Sequence, residues 1–382
     1  MNVSGLPRRY YTVADALGGE LCTVSGGSFL KIVSDFHGEH RCGDKSIREL
    51  DSSKLRHELF TNDYNTGAIS PDSLLFFDME TTGLGGSGTV PFLIGFGSLT
   101  ADGFQVRQYF LPDYPDESAM LEEARAEIKN DTVLVSYNGK AFDLPILTDR
   151  LILQRIERNL TFDAHIDLLH SVRRLFKRRL GDCSLSNIER EVLGFFRYDD
   201  LPGYLVPSVY FNWLSTEDPT DLKRVIRHNI DDIVSLYFLI DYIAEVRLNP
   251  MAAGLEPDDI FSLARILERR GEFLNLCDLI SGYDQMIRTR GRFDLLFFQS
   301  ISYKRAGHLE KAVTLWNDIA ARGIPESFYA RVELAKFYEH RARDFKTALN
   351  ISLLAQSDCP ETRYIHEELE RRIRRLEKKC ES

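Results

Sequence analysis

The sequence predicts two architectures in one chain of 382 residues: an α/β domain with a mixed sheet flanked by helices, followed by an all-α helical-repeat domain. Three observations predict this. Between residues 74 and 136, short apolar or alternating runs are separated by tight turn signals. Strand signals then stop near Pro250. Beyond that point, a helical pattern repeats with a period of 36 residues.

Composition narrows the classes. Hydrophobic residues make up 43% and charged residues 28%, the balance of a soluble globular protein. No apolar stretch approaches the length of a membrane span, so no membrane association is expected. Arg8 and Arg9 have no apolar run behind them and do not make a secretory signal. The six cysteines lack the paired spacing of a zinc site or a disulfide framework, and a reduced, cytoplasmic protein is expected. A net charge of −10 gives no global attraction to nucleic acid. An enzyme acting on nucleic acid with this balance must gather its basic residues locally.

The elements follow in chain order. Residues 1–70 are expected to pack on the domain at 71–248, with a strand at Ser28–Val33 and a polar stretch, Ser46 to Asn65, over an edge of the core. His37, His40 and Cys42 lie close together, but their spacing is irregular and no second cluster completes a tetrahedral set. Leu74-Leu75-Phe76-Phe77 reads as a buried strand, and Asp78 and Glu80 end it. Side chains at i and i+2 of a strand share a face. The two carboxylates are therefore neighbours, forming either a solvated acidic turn or a site for a hard cation such as Mg²⁺ or Mn²⁺. Thr81-Thr82-Gly83 turns the chain.

Pro91–Ser98 and Gly103–Phe110 read as the second and third strands of an antiparallel meander, joined by a two-residue turn at Asp102-Gly103. A helix is predicted over Glu117–Lys129 and a buried strand over Asp131–Ser136. Asn138-Gly139 then signals a turn. Asp143 opens a helix that carries Leu147, Leu151 and Ile152 inward, and is itself either a first-turn acid or a ligand. Between residues 149 and 180 stand Arg150, Arg155, Arg158, Arg173, Arg174, Lys177, Arg178 and Arg179. Arg173, Arg174, Lys177 and Arg178 crowd one helical face, a candidate ridge for phosphate contacts. Asp167, at the end of a short apolar run, is equally a fourth acid near the site or a helix cap. Ile226, Ile230, Ile233, Val234 and Tyr237 form the apolar stripe of a later helix, with His228 and Asp232 one turn apart on one face.

The string from Asp78 through Glu80, Thr81, Thr82, Gly83 and Leu84 resembles the first motif of the DEDD exonucleases of the ribonuclease H-like superfamily, whose histidine branch favours D-x-E-T-T-G-L. Asn138-Gly139 with Phe142-Asp143 resembles the second motif, and His228 with Asp232 the last. The His–Asp spacing here is that of the tyrosine branch, which bears on the base role of His228 more than on the metal role of Asp232. A longer segment resembles the YprB-like ribonuclease H-like domain. It comprises Asp167 with Leu168-Leu169, Cys183-Ser184-Leu185, Ile188-Glu189, Leu193-Gly194, Asp200-Leu201-Pro202-Gly203 and Val206-Pro207.

The resemblance implies a ribonuclease H-like fold. It also implies a two-metal nuclease, a 3′–5′ exonuclease hydrolysing phosphodiester bonds of DNA or RNA. Asp78, Glu80, Asp143 and Asp232 would hold two Mg²⁺ or Mn²⁺ ions, and His228 would accept or steer the proton of the attacking water. Thr81, Thr82, Asn138 and Phe142 would line the channel for a single strand or 3′ end. The alternative is a non-catalytic nucleic-acid-binding or scaffolding protein acting through its repeats. A retired site is expected to lose an acid, and this set is complete.

In the C-terminal part, Asn249-Pro250 and 254–258 read as a linker. From 255 to 382, helical pairs with corners at Gly271, Gly307 and Arg343 resemble tetratricopeptide repeats and offer a surface for a protein partner, the other reading being a plain helical bundle. The last helix, with Arg371, Arg372, Arg374, Arg375, Lys378 and Lys379, is expected to be a solvated cap.

Overall fold

The computed structural model describes residues 6–49, 51, 54–60, 67–83, 88–156 and 160–381. Leu84 of the first motif, Arg158 of the basic run and residues 61–65 of the polar stretch lie outside the described residues. The chain divides between Asn249 and Pro250 into two compact units.

Among the described residues, the first unit has nine strands: β1 (Glu20–Val24), β2 (Gly27–His37), β3 (Arg41–Cys42), β4 (Lys45–Ser46), β5 (Leu74–Thr81), β6 (Pro91–Thr100), β7 (Gly103–Phe110), β8 (Val133–Ser136) and β9 (Ala164–Asp167). Seven of them form one sheet in the order β1-β2-β7-β6-β5-β8-β9, while β3 and β4 pair separately. β5 runs antiparallel to β6 and parallel to β8, so the sheet is mixed and the acidic strand is central. Residues 20–37 are part of this sheet: β2 pairs along β7 from Leu30↔Phe110 to His37↔Gly103. The β6–β7 hairpin turns on Ala101-Asp102, one residue earlier than the sequence suggests, because Thr100 pairs with Gly103.

The helices of this unit are α1 (Arg8–Leu17), α2 (Glu117–Arg125), α3 (Asp143–Leu153), α4 (Leu168–Leu180), α5 (Leu185–Ile188), α6 (Val206–Thr216) and α7 (Leu222–Leu248). α2 is four residues shorter than its apolar pattern suggests. In α3, Leu147 and Leu151 are buried as expected, but Ile152 points to solvent.

Strand parity assigns the faces of the sheet. Phe76 and Phe104 pack on Tyr237 of α7, with ring centroids 5.6 and 4.8 Å away. Phe77 stacks on Phe96, and Tyr109 donates to Glu127 just beyond α2. Residues in step with Phe76 therefore face α7, and these include Asp78 and Glu80. Along β5 those two are half-buried while Phe77, Met79 and Thr81 are buried.

Close approach of α7 requires Gly95, which pairs with Asp78. A Cβ at Gly95 would stand 2.3 Å from Asn229 Oδ1 and 2.4 Å from Ile233 Cδ1, both on α7.

The second unit is helical: α8 (Pro257–Arg269), α9 (Phe273–Gly282), α10 (Asp284–Thr289), α11 (Phe293–Arg305), α12 (Leu309–Ala320), α13 (Pro325–Phe337), α14 (Phe345–Gln356) and α15 (Arg363–Glu381). The pairs α8–α9, α11–α12 and α13–α14 turn at Gly271, Gly307 and Arg343, each with a left-handed backbone. Leu276, Ala312 and Ala348 are fully buried at matching positions of the second helices. α15 is more than a solvated cap. Leu369, Ile373 and Leu376 are buried, and Arg372, Arg375 and Lys379 converge on the fully buried carboxylate of Glu339.

Gly95→Ala should destabilise the protein by about 1–3 kcal/mol, because the methyl must push α7 off the sheet. Urea denaturation reads this directly, and an unchanged midpoint would show that α7 does not need the close approach.

Candidate active site

Three separated pieces of chain meet in front of β5. The strand supplies Asp78 and Glu80, the start of α3 supplies Asp143, and α7 supplies His228 and Asp232. Their mutual influence is visible in their protonation. Burial pushes Asp78 well above the usual carboxylate range, and Asp232, Asp143 and Glu80 push it further. Burial raises Glu80 to about 8 against the pull of His228, with Asp232 and Asp143 adding to the rise. Burial also lifts Asp143 to about 7, against its own backbone N–H and helped by Asp167 and Asp232.

Asp143 is placed by the turn that precedes it. Asn138 is left-handed at φ 67°, and its carbonyl accepts from the N–H groups of Ala141 and Phe142. Gly139 leaves room for both neighbours: a Cβ there would lie 2.5 Å from Ser136 Oγ and 3.1 Å from Asp143 Oδ2. Asp167 holds this turn. Its buried carboxylate accepts from the N–H groups of Asn138 and Lys140 and also from Leu169 N–H, so it caps α4 as well. It thus combines the two readings left open in the sequence: it is a helix cap, and it lies close enough to raise Asp143.

Asp78 is placed by α7. The Asn229 amide donates to Asp78 Oδ2 at 2.8 Å, and Asn229 Oδ1 accepts from Gln108 of β7 at 2.7 Å. Both amides are buried. Sequence reasoning missed these two residues, although each leaves a signal. Asn229 interrupts the apolar stripe of α7, and Gln108 occupies a core position in step with Phe104 and Val106.

His228 is aimed by Asp200, whose Oδ1 lies 2.7 Å from Nδ1. A carboxylate only accepts, so Nδ1 carries the proton, and Nε2 of the neutral ring is left as an acceptor. Nε2 is 3.6 Å from Asp232 Oδ2 and 3.9 Å from Glu80 Oε1. Burial disfavours the imidazolium, but Asp232, Glu80 and Asp200 outweigh it and raise the His228 pKa. Asp231, the neighbouring acid, pairs instead with Arg227 at 2.8 Å.

Arg197 is the cation that the sequence does not advertise. Its buried guanidinium pairs with Glu189 and with Asp232 Oδ1 and lies 3.7 Å from Asp200. Burial opposes its charge, but Asp232 and Glu189 more than compensate and keep it protonated. Glu189 and Asp200 belong to the long segment beyond α4, so that segment serves to position Arg197 and His228.

Other expected residues take more local roles. The Thr81 hydroxyl donates to Gly83 carbonyl at 2.7 Å, and Thr82 Oγ1 accepts from Val90 N–H at 3.0 Å. Both build the turn after β5. Phe142 is half-buried beside Asp143. On α4, Arg173, Lys177 and Arg178 are exposed, while Arg174 turns inward to donate to the Phe60 carbonyl and to Ser171. His40 packs edge-on against Phe36, and Cys42 is buried.

The donor set suits a hard divalent cation. Glu80, His228 and Asp232 present ligand atoms all within 4.8 Å of one another. Asp78 and Asp143 add oxygen donors, their pKa values raised first by burial and then by the neighbouring carboxylates.

These shifts predict the stability of the metal-free protein. A carboxyl whose pKa is raised on folding binds more protons folded than unfolded, so stability falls as pH rises toward the folded value. The melting temperature should therefore decline between about pH 5 and pH 8, the range set by Asp143 and Glu80. Glu80→Gln or Asp143→Asn should flatten the decline. A melting temperature that rises over this interval would contradict the charge crowding.

Comparison with known proteins gives the family. Residues 75–244 match the model of the RNase H superfamily. The "Uncharacterized protein YprB" of Bacillus subtilis (strain 168) is 35% identical over 365 residues, covering 90% of this chain and 84% of that protein. Among solved structures, the family B DNA polymerase of Pyrobaculum calidifontis is 14% identical with a TM-score of 0.38, over 79% of this chain and 36% of the polymerase. So slight a likeness carries no argument. The chain belongs to the family of YprB, and its first unit carries a ribonuclease H superfamily domain.

Proposed function

We propose that this protein is a metal-dependent nuclease that removes nucleotides from a 3′ end. Asp78, Glu80, Asp143 and Asp232 would hold two Mg²⁺ or Mn²⁺ ions. The observation that carries the reading is the convergence of four carboxylates from three separate segments on one sheet face, next to a histidine with a free acceptor nitrogen. Likeness to the DEDD motifs supports the exonuclease class and its polarity. When bound, such ions supply electrostatic stabilisation of the charge that develops on phosphate and leaving oxygens and ease ionisation of the attacking water.

The chain's own groups supply the rest. Asn229 fixes the rotation of the Asp78 carboxylate. Arg197 holds Oδ1 of Asp232, which leaves Oδ2 facing His228. Asp200 fixes the tautomer of His228, whose Nε2 is placed to take a proton from a water beside Glu80 and Asp232. Exposed Arg173, Lys177 and Arg178 lie along α4, the helix that Asp167 caps beside the site, and offer phosphate contacts without base preference.

Purified protein should shorten end-labelled DNA or RNA only with Mg²⁺ or Mn²⁺ present. Asp78→Ala should abolish cleavage, and His228→Ala should lower it by roughly 10²-fold or more. If neither metal supports shortening of single-stranded DNA, RNA or duplex, the scaffolding alternative takes its place.

A further inference from the structure

The segment between α5 and α6, which carries Arg197 and Asp200 into the site, leaves three aromatic rings in water. Phe196 is 71% exposed, Tyr198 99% and Tyr204 80%. Between the first two, Arg197 runs the other way, into the site and onto Asp232. Neighbouring Cα atoms are about 3.8 Å apart, so both rings spring from backbone that is anchored to the catalytic acids. Tyr204 follows Gly203, whose backbone lies against His228: a Cβ there would stand 3.9 Å from Nε2.

The loop is held at several points. Phe195 N–H donates to Glu189 carbonyl, Asp200 binds His228, Arg224 pairs with Asp199, and Leu201 is buried. Arg197, Asp200 and Leu201 turn inward while Phe196, Tyr198 and Tyr204 turn outward. A loop tied down this firmly had inward positions to give its rings, yet it exposes them. Exposed aromatic rings suit flat, uncharged partners such as nucleobases.

We infer that Phe196, Tyr198 and Tyr204 form a stacking platform for nucleobases at the end of the strand whose phosphate enters the carboxylate site. This rests on the nuclease reading and deepens it: the substrate is a strand whose last few bases are unpaired, either from the outset or by opening of the terminal pairs. Stacking on aromatic side chains tolerates any base, because every base has a π-face. The platform therefore adds affinity at the strand end without sequence preference, alongside the phosphate contacts of α4.

The test uses the full chain and oligonucleotides carrying 2-aminopurine as the 3′-terminal base, in deoxy and ribo forms. Wild type should bind them and quench the 2-aminopurine. Phe196→Ala/Tyr198→Ala/Tyr204→Ala should weaken binding by roughly tenfold per stacked ring and release the quenching, while the salt dependence stays as in wild type. Tyr198→Phe and Tyr204→Phe should behave as wild type. If the triple variant does not fold, Tyr204→Ala alone carries the test. Wild-type affinity and quenching in the alanine variants overturn the platform and leave the nuclease reading standing. A change of oligomeric state in those variants, assigning the rings to an interface between copies, also overturns it. If wild type neither binds nor shortens any of these strands in Mg²⁺, both readings fall.

Discussion

A buried chain of two amides holds the site together. Gln108 on β7 donates to Asn229 on α7, and Asn229 donates to Asp78 on β5. Gln108 also donates to the Ile226 carbonyl at 3.0 Å, so the same side chain fixes both the helix backbone and its inward amide. Buried polar groups are costly unless paired, so this chain admits one placement of α7 on the sheet. Gly95 supplies the space. Because His228 and Asp232 flank Asn229 on the same helix, placing Asn229 places them against Glu80 and Asp78.

The constraint brings several acids together in a buried site. Asp78, Glu80, Asp143 and Asp232 lie within reach of one another, with Asp167, Asp200 and Glu189 close behind. The loop after α5 contributes the buried counter-charge, Arg197, shared between Glu189 and Asp232. Removing Arg197 would leave Glu189 as an unpaired buried carboxylate, a strongly destabilising change. Among the described residues, His228 and Arg197 stand opposite Glu80, the Asn229 amide opposite Asp78, and the backbone N–H of Asp143 opposite its own carboxylate. Burial first and mutual repulsion second lead Asp78, Glu80 and Asp143 to hold their protons, and the repulsion is the physical case for a cation.

Much of this was legible in the sequence because strands and helices repeat with simple periods. Alternation along β5 placed Asp78 and Glu80 on one face, and the apolar stripe of α7 placed His228 beside Asp232. Asp143 read from the residues alone as an ordinary first-turn acid, and only the resemblance of Asn138-Gly139 with Phe142-Asp143 to the second DEDD motif singled it out. Asp167 could not be resolved from sequence because it does two jobs, capping α4 and pinning the turn before Asp143. Thr81 donates to the Gly83 carbonyl, Thr82 accepts from Val90 N–H and Arg174 donates to the Phe60 carbonyl, local bonds that the sequence pattern does not display. Arg197 and Asp200 left no periodic signal. They sit in irregular chain, and only the tertiary fold shows that they face Asp232 and His228. In the second unit, Glu339 binds α15 from the π-helical turn that continues α13, so the highly charged final helix reads as solvated until its partner is seen.

Calorimetric titration of metal-free protein with Mn²⁺ measures the central claim most directly. If the converging carboxylates form a cation site, wild type binds two ions per chain at neutral pH, and Asp78→Asn and Asp232→Asn each lose at least one. A wild type that takes up no ion, or an Asp78→Asn protein that binds as wild type does, would show that the acids cluster for another reason.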